Sequence, residues 1–524
     1  MSAGAPRRAS RPNILVITTD QQRFDTLGVS GNSYVRTPHL DALAARGVLF
    51  RRGYIQSPAC IPSRASIQTG RYTHQHGVYY TDNVIDTTPG LPPWETTVME
   101  QLQGIGYHTA AFGNIHMLPP KGLDEMQLTT NKGSRWTVAE GSPFGPAPLG
   151  PVYAAWLERK RPGAYEEIYA QRRRPEYRER ATASVLTMAA DEYVDYWIGE
   201  NTWEYLDRDH ERPFFAWCGF CGPHPPYDPP EPYASTYRQE DVPVPDLLHA
   251  RQKDVPGDGM PTRFDQPDGE RLIRTIISHY WGMVAFIDDM VGRIMEVLTR
   301  RGLWDDTLVV FTTDHGDMLG DFGRLGKSNF REPVIRAPYI VVPPGGSQFG
   351  ADGHRPRTFD GLVEHVDLVP TFLDYVGLPQ TADQPGRSLR PVLEGTGELP
   401  ALDGVLCEFA TNEKTYFSKC LRTERFKYVI TSSASAPSFV ELYDLERDPQ
   451  ETTNVAGQPA YHDEVARHAE LLLRRLTLTE RNPWNSGGAA ATPAELDQYG
   501  LQVRATAAGD AETSAAAPDG RRRG

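Results

Sequence analysis

Short apolar runs rich in β-branched residues recur along the chain, and they limit its fold more than any other feature of the sequence. The first run, residues 14–19, ends at Asp20 and is typical of a strand buried on both faces. Helical patterns lie between the runs, from a predicted N-cap at Thr37 to a stop at Gly47, and over residues 273–301. Strands that alternate with helices predict an α/β fold with a large, mostly parallel sheet and helices on both faces. Further predicted strands cover residues 109–112, 213–220, 307–311 and 339–342.

The pattern changes after residue 380. Short runs at 404–409, 426–431 and 440–444 are typical of antiparallel strands, and apolar residues at helical spacing follow over 462–476. From residue 487 the chain is rich in Ala, Gly and Thr, which favours disorder. We therefore predict a flexible N-terminus (1–11), a catalytic α/β domain (12–380), a small C-terminal α+β subdomain with antiparallel strands (381–486) and a disordered tail (487–524).

Composition excludes several classes of function. With 524 residues, 39% of them hydrophobic and 23% charged, the chain can bury a large core and is ordinary for a soluble globular protein. A net charge of −14 argues against a nucleic-acid partner. The sequence contains no run near the ~20 apolar residues of a membrane-spanning helix, and its N-terminus has no apolar signal region. We expect a cytoplasmic protein without a membrane partner, and homo-oligomer formation is left open.

The chain has five cysteines, at positions 60, 218, 221, 407 and 420, and they form no disulfide framework. Cys218 and Cys221 have the spacing of a redox or zinc pair. A zinc site needs a second pair at suitable spacing, and the sequence offers none. Because their context is an apolar run, we predict that the pair is structural and lies in a buried strand.

Cys60 lies in a segment whose pattern predicts a reactive site. Pro62 suits the first turn of a helix, residues 63–69 continue it, and Gly70 fits a helix stop. Cys60 would then precede a helix N-terminus, where exposed N–H groups and the helix dipole favour negative charge. Arg64 adds a fixed positive charge with bidentate geometry for an oxyanion.

Acidic residues at two strand ends give a second signal. Asp20 ends the first predicted strand, and Asp314 and His315 follow the predicted strand at 307–311. Because the carboxyl ends of parallel strands meet at one edge of a sheet, we expect these side chains to lie together and to surround a hard divalent cation. Such a cation lowers the pKa of a bound hydroxyl and neutralises charge on an anionic substrate.

The order of these motifs is similar to that of the type I sulfatase family, within the alkaline phosphatase-like superfamily. In that family the cysteine is oxidised after translation to Cα-formylglycine, an aldehyde whose hydrate is the nucleophile. The resemblance extends over residues 12–345, and a stretch at 442–454 looks like the family's C-terminal subdomain. The matching positions are 13 with 20–23, 60–64, 106–110, 223–226, 288–289, 313–316, 319–321 and 326–327.

The resemblance implies a metal site and a set of partners. A divalent metal, usually Ca²⁺ and in some relatives Mn²⁺, would be held by Asp20, Gln21, Asp314, His315 and the modified Cys60. The substrate would be a small-molecule sulfate ester. A formylglycine-generating enzyme would bind transiently to oxidise the cysteine.

The resemblance also implies catalytic roles for four further residues. Arg64 would orient the hydrated aldehyde. His224 and Lys327 would bind substrate oxygens, and one of them would protonate the leaving group. His116 would complete this set, with a plain loop histidine as the alternative reading.

Two positions depart from the family pattern. Many sulfatases have a second Asp where this chain has Gln21, and the usual lysine of a Gly-Lys-x-His segment is replaced by Asn114. Asn114 remains a candidate substrate ligand, but it donates only a neutral hydrogen bond. Related phosphonate monoester hydrolases share both departures, so a phosphonate or phosphodiester hydrolase with the same nucleophile is an alternative function. An unmodified, non-catalytic family member is a second alternative.

Two further features are weaker candidates for the substrate site. Asn83, downstream of the Cys60 helix, is a possible substrate ligand. The stretch 131–180 either lines the substrate entrance or packs as an ordinary surface loop. Its aromatic residues are Trp136, Tyr153, Trp156 and Tyr165.

Overall fold

The structure, a computed structural model, describes residues 11–79, 91–92, 94–117, 120–129, 151–252, 255, 260–345, 357–410 and 415–481. Within these ranges the strands form a nine-stranded central sheet and a separate four-stranded sheet. The strands are β1 (Asn13–Asp20), β2 (Val48–Tyr54), β3 (His108–Gly113), β4 (Glu125–Leu128), β5 (Phe214–Pro223), β6 (Thr307–Thr313), β7 (Arg336–Ala337), β8 (Tyr339–Val342), β9 (Arg357–Glu364), β10 (Val405–Ala410), β11 (Tyr416–Arg422), β12 (Phe426–Ser433) and β13 (Ala436–Asp444).

Helices fill most of the intervals between these strands, and none of the described helices is long and apolar enough to cross a bilayer. They are α1 (Pro38–Ala45), α2 (Cys60–Thr69), α3 (Thr73–His76), α4 (Val98–Gln103), α5 (Pro151–Lys160), α6 (Ala164–Arg172), α7 (Pro175–Glu179), α8 (Val194–Leu206), α9 (Gly269–Arg300), α10 (Glu332–Ile335), α11 (Leu368–Val376), α12 (Arg390–Glu394) and α13 (His462–Leu478).

The central sheet has the order β4-β3-β5-β1-β6-β8-β2-β7, with β9 also paired to β2. All pairs from β4 to β6 are parallel, whereas β8 runs antiparallel to both β6 and β2. Thr19 of β1 lies opposite Thr313 of β6, so the residues that follow these two positions meet at one edge. The predicted α/β class with a mostly parallel sheet is confirmed.

The side chains of β1 show why residues 14–17 of this strand are all apolar. Leu15 and Ile17 point to one face of the sheet, where α1, α8 and α9 pack. Ile14 and Val16 point to the other face, which α2, α4 and α11 cover. Each of these buried side chains contributes about 1.5–3 kcal/mol to stability, and a strand covered on both faces therefore favours apolar residues at consecutive positions.

The second sheet is antiparallel, as predicted, and it packs between the main domain and α13. Cys407 and Val429 pack against Ile335 of the main domain. Leu442 packs with Leu472 of α13 on the opposite face. The described residues end at 481, so the predicted tail at 487–524 lies outside them, as does the predicted flexible N-terminus up to residue 10.

Some local predictions need correction. Helix α2 begins at Cys60 rather than at residue 63, because Ala59 is extended and takes the N-cap position. Thr37 does precede α1, but its hydroxyl accepts from the N–H of Gly28 instead of capping the helix. The carboxylate of Asp288 caps α1 in its place, accepting from the N–H groups of the first turn.

The aromatic residues of the 131–180 stretch pack in the core. Tyr153 and Tyr165 are buried in the same cluster as Trp197, and Trp156 stacks on Tyr153 with 5.8 Å between ring centroids. The expectation that these residues line a substrate entrance is therefore wrong for the part of this stretch that is described. Trp136 and Asn83 lie outside the described residues.

The cysteine pair in the apolar run behaves as the structural reading predicts. Cys218 and Cys221 both lie in β5 and are fully buried in the core on the face of α8 and α9. Burial raises the pKa of Cys218 to about 12, which keeps this thiol protonated and unreactive.

Candidate active site

Four neighbouring strands bring polar residues to one edge of the central sheet. In sheet order these strands are β3, β5, β1 and β6, and they are parallel. Asn114 follows β3, His224 follows β5, Asp20 ends β1 and Asp314 follows β6. Ligands of open α/β sheets bind beyond the carboxyl ends of such strands, and this edge is the candidate site.

Cys60 reaches this edge as the first residue of α2, a helix in which every residue is buried. Its Sγ lies 2.6 Å from Nζ of Lys327, 3.2 Å from Nε2 of His315 and 3.8 Å from Oδ1 of Asp20. Burial and the nearby Asp20 carboxylate raise the pKa of this thiol well above its usual value, against the opposing effect of Lys327. Unmodified Cys60 is therefore a protonated and weak nucleophile.

Asp20, Cys60, Asp314 and His315 form a cluster with the spacing of a metal site. Their ligand atoms all lie within 4.8 Å of one another, and all four residues are buried. Burial and the neighbouring Asp314 carboxylate raise the pKa of Asp20. Two buried carboxylates this close together repel each other, and a divalent cation between them would remove that repulsion. These residues therefore fit a hard metal ion.

The orientation of His315 also suits a metal ligand. Its Nδ1 lies 2.9 Å from the carbonyl oxygen of Gly316, so Nδ1 carries the proton and donates to it. The lone pair of Nε2 then faces the cluster. Burial lowers the pKa of His315 to about 4, so the ring is neutral and able to coordinate.

Arg64 binds the two carboxylates. Its Nε donates to Oδ2 of Asp314 at 2.9 Å, Nη2 donates to Oδ2 of Asp20 at 3.3 Å, and Nη1 donates to the carbonyl of Asn114 at 2.6 Å. Although burial alone would raise it, the pKa of Asp314 is lowered because Arg64 lies beside it. The guanidinium is completely buried and fixes the carboxylates in place.

Gln21 is hydrogen-bonded through both its backbone and its side chain to carboxylates near the cluster. Its backbone lies in the left-handed region, with a φ of 69°, and its N–H donates to Oδ1 of Asp314 at 3.0 Å. Its side-chain Nε2 donates to Oδ2 of Asp317. The structure thus brings Gln21 to the cluster through its backbone, and its predicted role as a metal ligand stays a prediction.

Asn114 and His116 each have a buried side-chain atom without a hydrogen-bond partner among the described residues. Nδ2 of Asn114 donates to Oδ2 of Asp20 at 2.9 Å. Its Oδ1 and the Nδ1 of His116 are buried, and neither finds a hydrogen-bond partner among the described residues. Burial, reinforced by Arg64, lowers the pKa of His116 well below its usual value, so its ring is neutral. A ligand bound at this edge of the sheet would complete these hydrogen bonds.

Lys327 and His224 supply further polar groups at the same place. Nζ of Lys327 lies 2.9 Å from Nε2 of His315 in addition to its contact with Cys60. Burial disfavours the ammonium, yet the carboxylates of Asp20 and Asp314 and the hydrogen bond to Cys60 keep the pKa of Lys327 above its usual value, so it stays charged. His224 donates from Nδ1 to the carbonyl of Pro225 at 2.6 Å, which leaves Nε2 as the acceptor nitrogen.

Asp317 is the residue at this site to which the sequence analysis gave no role. It is completely buried, and its carboxylate accepts the side chain of Gln21 and the backbone N–H of Gly326, next to Lys327. The available signal was its position two residues after His315, in a stretch where a buried strand has just ended.

This fold and this site together define a hydrolase of ester anions with an alkaline phosphatase-like architecture. Comparison of the sequence with protein families identifies it more closely. The family model described as Sulfatase matches residues 12–378, and one described as N-sulphoglucosamine sulphohydrolase, C-terminal, matches residues 320–477. The chain belongs to the sulfatase family, and the predicted enzyme class, a sulfuric ester hydrolase, is confirmed.

Individual relatives span nearly the full length of the chain. It is 28% identical to the arylsulfatase of Clostridium perfringens, over 89% of this chain and 94% of that protein. It is also 28% identical to the multifunctional alkaline phosphatase superfamily protein PehA of Trinickia caryophylli, over 90% and 96%. Among solved structures, the phosphonate monoester hydrolase of Agrobacterium radiobacter matches with a TM-score of 0.71 and 26% identity, over 89% of this chain and 96% of that one.

Proposed function

We propose that this enzyme hydrolyses a small-molecule sulfate monoester at position 60, after a formylglycine-generating enzyme has oxidised Cys60 to Cα-formylglycine. The observation that carries the proposal is the set of groups around Sγ of Cys60. This atom lies where the oxygens of the hydrated aldehyde would lie. Lys327 is 2.6 Å away, and the metal-type cluster includes the same atom. The hydrate would supply one hydroxyl to attack sulfur and a second whose deprotonation allows sulfate to leave.

We further propose that Asp20, Asp314, His315 and the modified residue 60 hold a divalent metal. The two carboxylates suit Ca²⁺, and Mn²⁺ is the alternative, which accepts the imidazole of His315 more readily than Ca²⁺ does. The ion would neutralise charge on the sulfate group and lower the pKa of a bound hydroxyl. Metal analysis of the purified protein, before and after dialysis against a chelator, tests this assignment.

The remaining residues act on the nucleophile and on the substrate. Arg64 keeps Asp314 ionised and fixes both carboxylates. Lys327, held as an ammonium, offers a positive charge to the sulfate oxygens or a proton to the departing alcohol. His224 and His116 are neutral or acceptor-bearing rings near the same place, and we assign them to the substrate oxygens and the leaving group.

A phosphonate or phosphate ester hydrolase is the second candidate, and Asn114 is the observation that favours it. Its side chain gives Asp20 a neutral hydrogen bond where sulfatases of the usual pattern have a lysine. The similarity to a phosphonate monoester hydrolase of known structure supports the same reading. Phosphonate monoesters and sulfate monoesters both carry a single negative charge, so one site of this charge can bind either.

Steady-state hydrolysis of matched substrates tests the choice. The two substrates 4-nitrophenyl sulfate and 4-nitrophenyl phenylphosphonate share their leaving group and differ at the central atom. If the enzyme is a sulfatase, we expect kcat/KM for the sulfate to exceed kcat/KM for the phosphonate. Activity confined to the phosphonate would defeat the first proposal in favour of the second. Absence of both activities in protein that carries the modification would contradict both.

A further inference from the structure

The loop that presents Lys327 has an unusual backbone. It connects β6 to α10 and includes three residues other than glycine in the left-handed region, Leu319, Phe322 and Ser328, with φ of 42°, 55° and 72°. Residues with a side chain rarely adopt this conformation, so contacts elsewhere must hold the loop in shape. The backbone N–H groups of Phe322 and Ser328 donate to carbonyls outside the loop, and that of Leu319 donates to the buried carboxylate of Asp317.

Both oxygens of Asp317 are used. Oδ1 accepts the N–H of Leu319 at 2.6 Å and the N–H of Gly326 at 2.9 Å, and so closes the loop on itself. Oδ2 accepts the side-chain Nε2 of Gln21 and the hydroxyl of Tyr227, the latter at 3.3 Å. A carboxylate that accepts four hydrogen bonds while completely buried is a strong and rigid junction.

The four donors lie next to residues of the candidate site. Gly326 immediately precedes Lys327, and Tyr227 is three residues after His224. Gln21 follows Asp20, and its own N–H is bonded to Asp314. A shift of Asp317 would therefore move Lys327 and the segment that carries His224, and it would disturb the proposed metal carboxylates.

We propose that Asp317 is a positioning residue, which sets the place of Lys327 and of the His224 segment relative to residue 60. This inference rests on the proposed function of the site. It also accounts for Gln21, because an amide donates to Asp317 where a carboxylate at position 21 would repel it. Among the described residues, the hydrogen bonds of the Asp317 carboxylate go to other residues than Cys60. Asp317 therefore acts through its neighbours.

The test measures rates on a series of aryl sulfates whose leaving phenols differ in pKa. Asp317→Ala removes the acceptor of all four donors, and we expect kcat to fall by about 10- to 100-fold. The fall should be largest for the most basic phenol, because such a leaving group depends most on a well-placed proton donor. Asp317→Asn keeps one acceptor oxygen and should recover part of the loss.

A control within the same loop separates positioning from general damage. Asp321→Ala breaks an ion pair with Arg23 and removes none of the four hydrogen bonds to the Asp317 carboxylate. Arg23 retains its own hydrogen bond to the main-chain carbonyl of Asp317. It should slow all aryl sulfates by one common factor. A common factor for Asp317→Ala as well, with no steeper dependence on the leaving group, would overturn the proposal.

Two further measurements keep the outcome clear. If Asp317→Ala lacks a cooperative melting transition, Gly326→Ala takes its place. A Cβ at Gly326 meets nothing within 4 Å, but the φ of 81° disfavours alanine, so this variant displaces Lys327 without a clash. It must then show the steeper dependence, or the proposal fails.

If the wild-type enzyme hydrolyses only phosphonate monoesters, the proposed function fails, and the same comparison on that series still decides the role of Asp317.

Discussion

Replacement of Arg64 by methionine should destabilise the metal-free protein strongly, because it removes the guanidinium that is bonded to two buried carboxylates. The guanidinium lies 2.9 Å from Asp314 and 3.3 Å from Asp20, and all three side chains are completely buried. Each hydrogen bond between charged groups contributes about 1.5–3 kcal/mol, so the two together give ~3–6 kcal/mol. Loss of one partner from a buried ion pair costs about 3–5 kcal/mol, which agrees with this sum. We expect the free energy of unfolding to fall by about 3–5 kcal/mol.

Urea unfolding followed by tryptophan fluorescence measures this loss, once with a chelator and once with Ca²⁺. The loss should be smaller with Ca²⁺, because the ion compensates the same carboxylates. Arg172→Met is the matched control, since Arg172 is a buried partner of Asp228, 2.8 Å away, that lies outside the proposed metal cluster. The control should lose the same stability in both conditions. A loss below ~1 kcal/mol for Arg64→Met, the size of a surface ion pair, or an equal loss in both conditions, would refute the reasoning.

Three further predictions concern the metal, the substrate and the fold. Asp314→Asn should abolish Ca²⁺ binding in isothermal titration calorimetry together with hydrolysis, and full retention of both would show that the cluster is misassigned. Asn114→Lys should raise the ratio of sulfate to phosphonate kcat/KM by about tenfold, because a charged donor replaces a neutral one beside Asp20; an unchanged ratio would contradict this. Gly70→Ala should lower the free energy of unfolding by about 1–3 kcal/mol, since a Cβ there meets Val369 at 2.8 Å; unchanged urea unfolding would refute the packing argument.

The sequence predicted the strands that form the centre of the sheet and failed at its periphery. Residues 14–17 and 308–311 are all apolar because β1 and β6 are covered on both faces. β2 was missed because Arg51 and Arg52 interrupt its apolar pattern where the strand reaches the surface. β9 was missed for a similar reason, since polar and partly exposed positions alternate over its first half. A local apolar pattern therefore predicts a strand only where burial on both faces requires apolar residues at successive positions.

The candidate site follows the same division. The end of a strand is visible in the sequence, so the sequence alone places Asp20 and Asp314 together. Contacts that depend on distant parts of the chain leave no such local signal. The partners of Arg64 and Asp317 illustrate this, because Gln21 and Asp317 are 296 residues apart in the sequence. Sequence reasoning therefore found the groups proposed to react, and the structure was needed to show what holds them.

The central claim, that the enzyme acts through an oxidised Cys60, is tested most directly by the mass of one peptide. Trypsin should release residues 53–64 from active protein produced together with a formylglycine-generating enzyme. Conversion of the thiol to an aldehyde lowers the mass of this peptide by about 18 Da, and that is the predicted result. An unmodified Cys60 in protein that still hydrolyses aryl sulfates at its full rate would contradict the account.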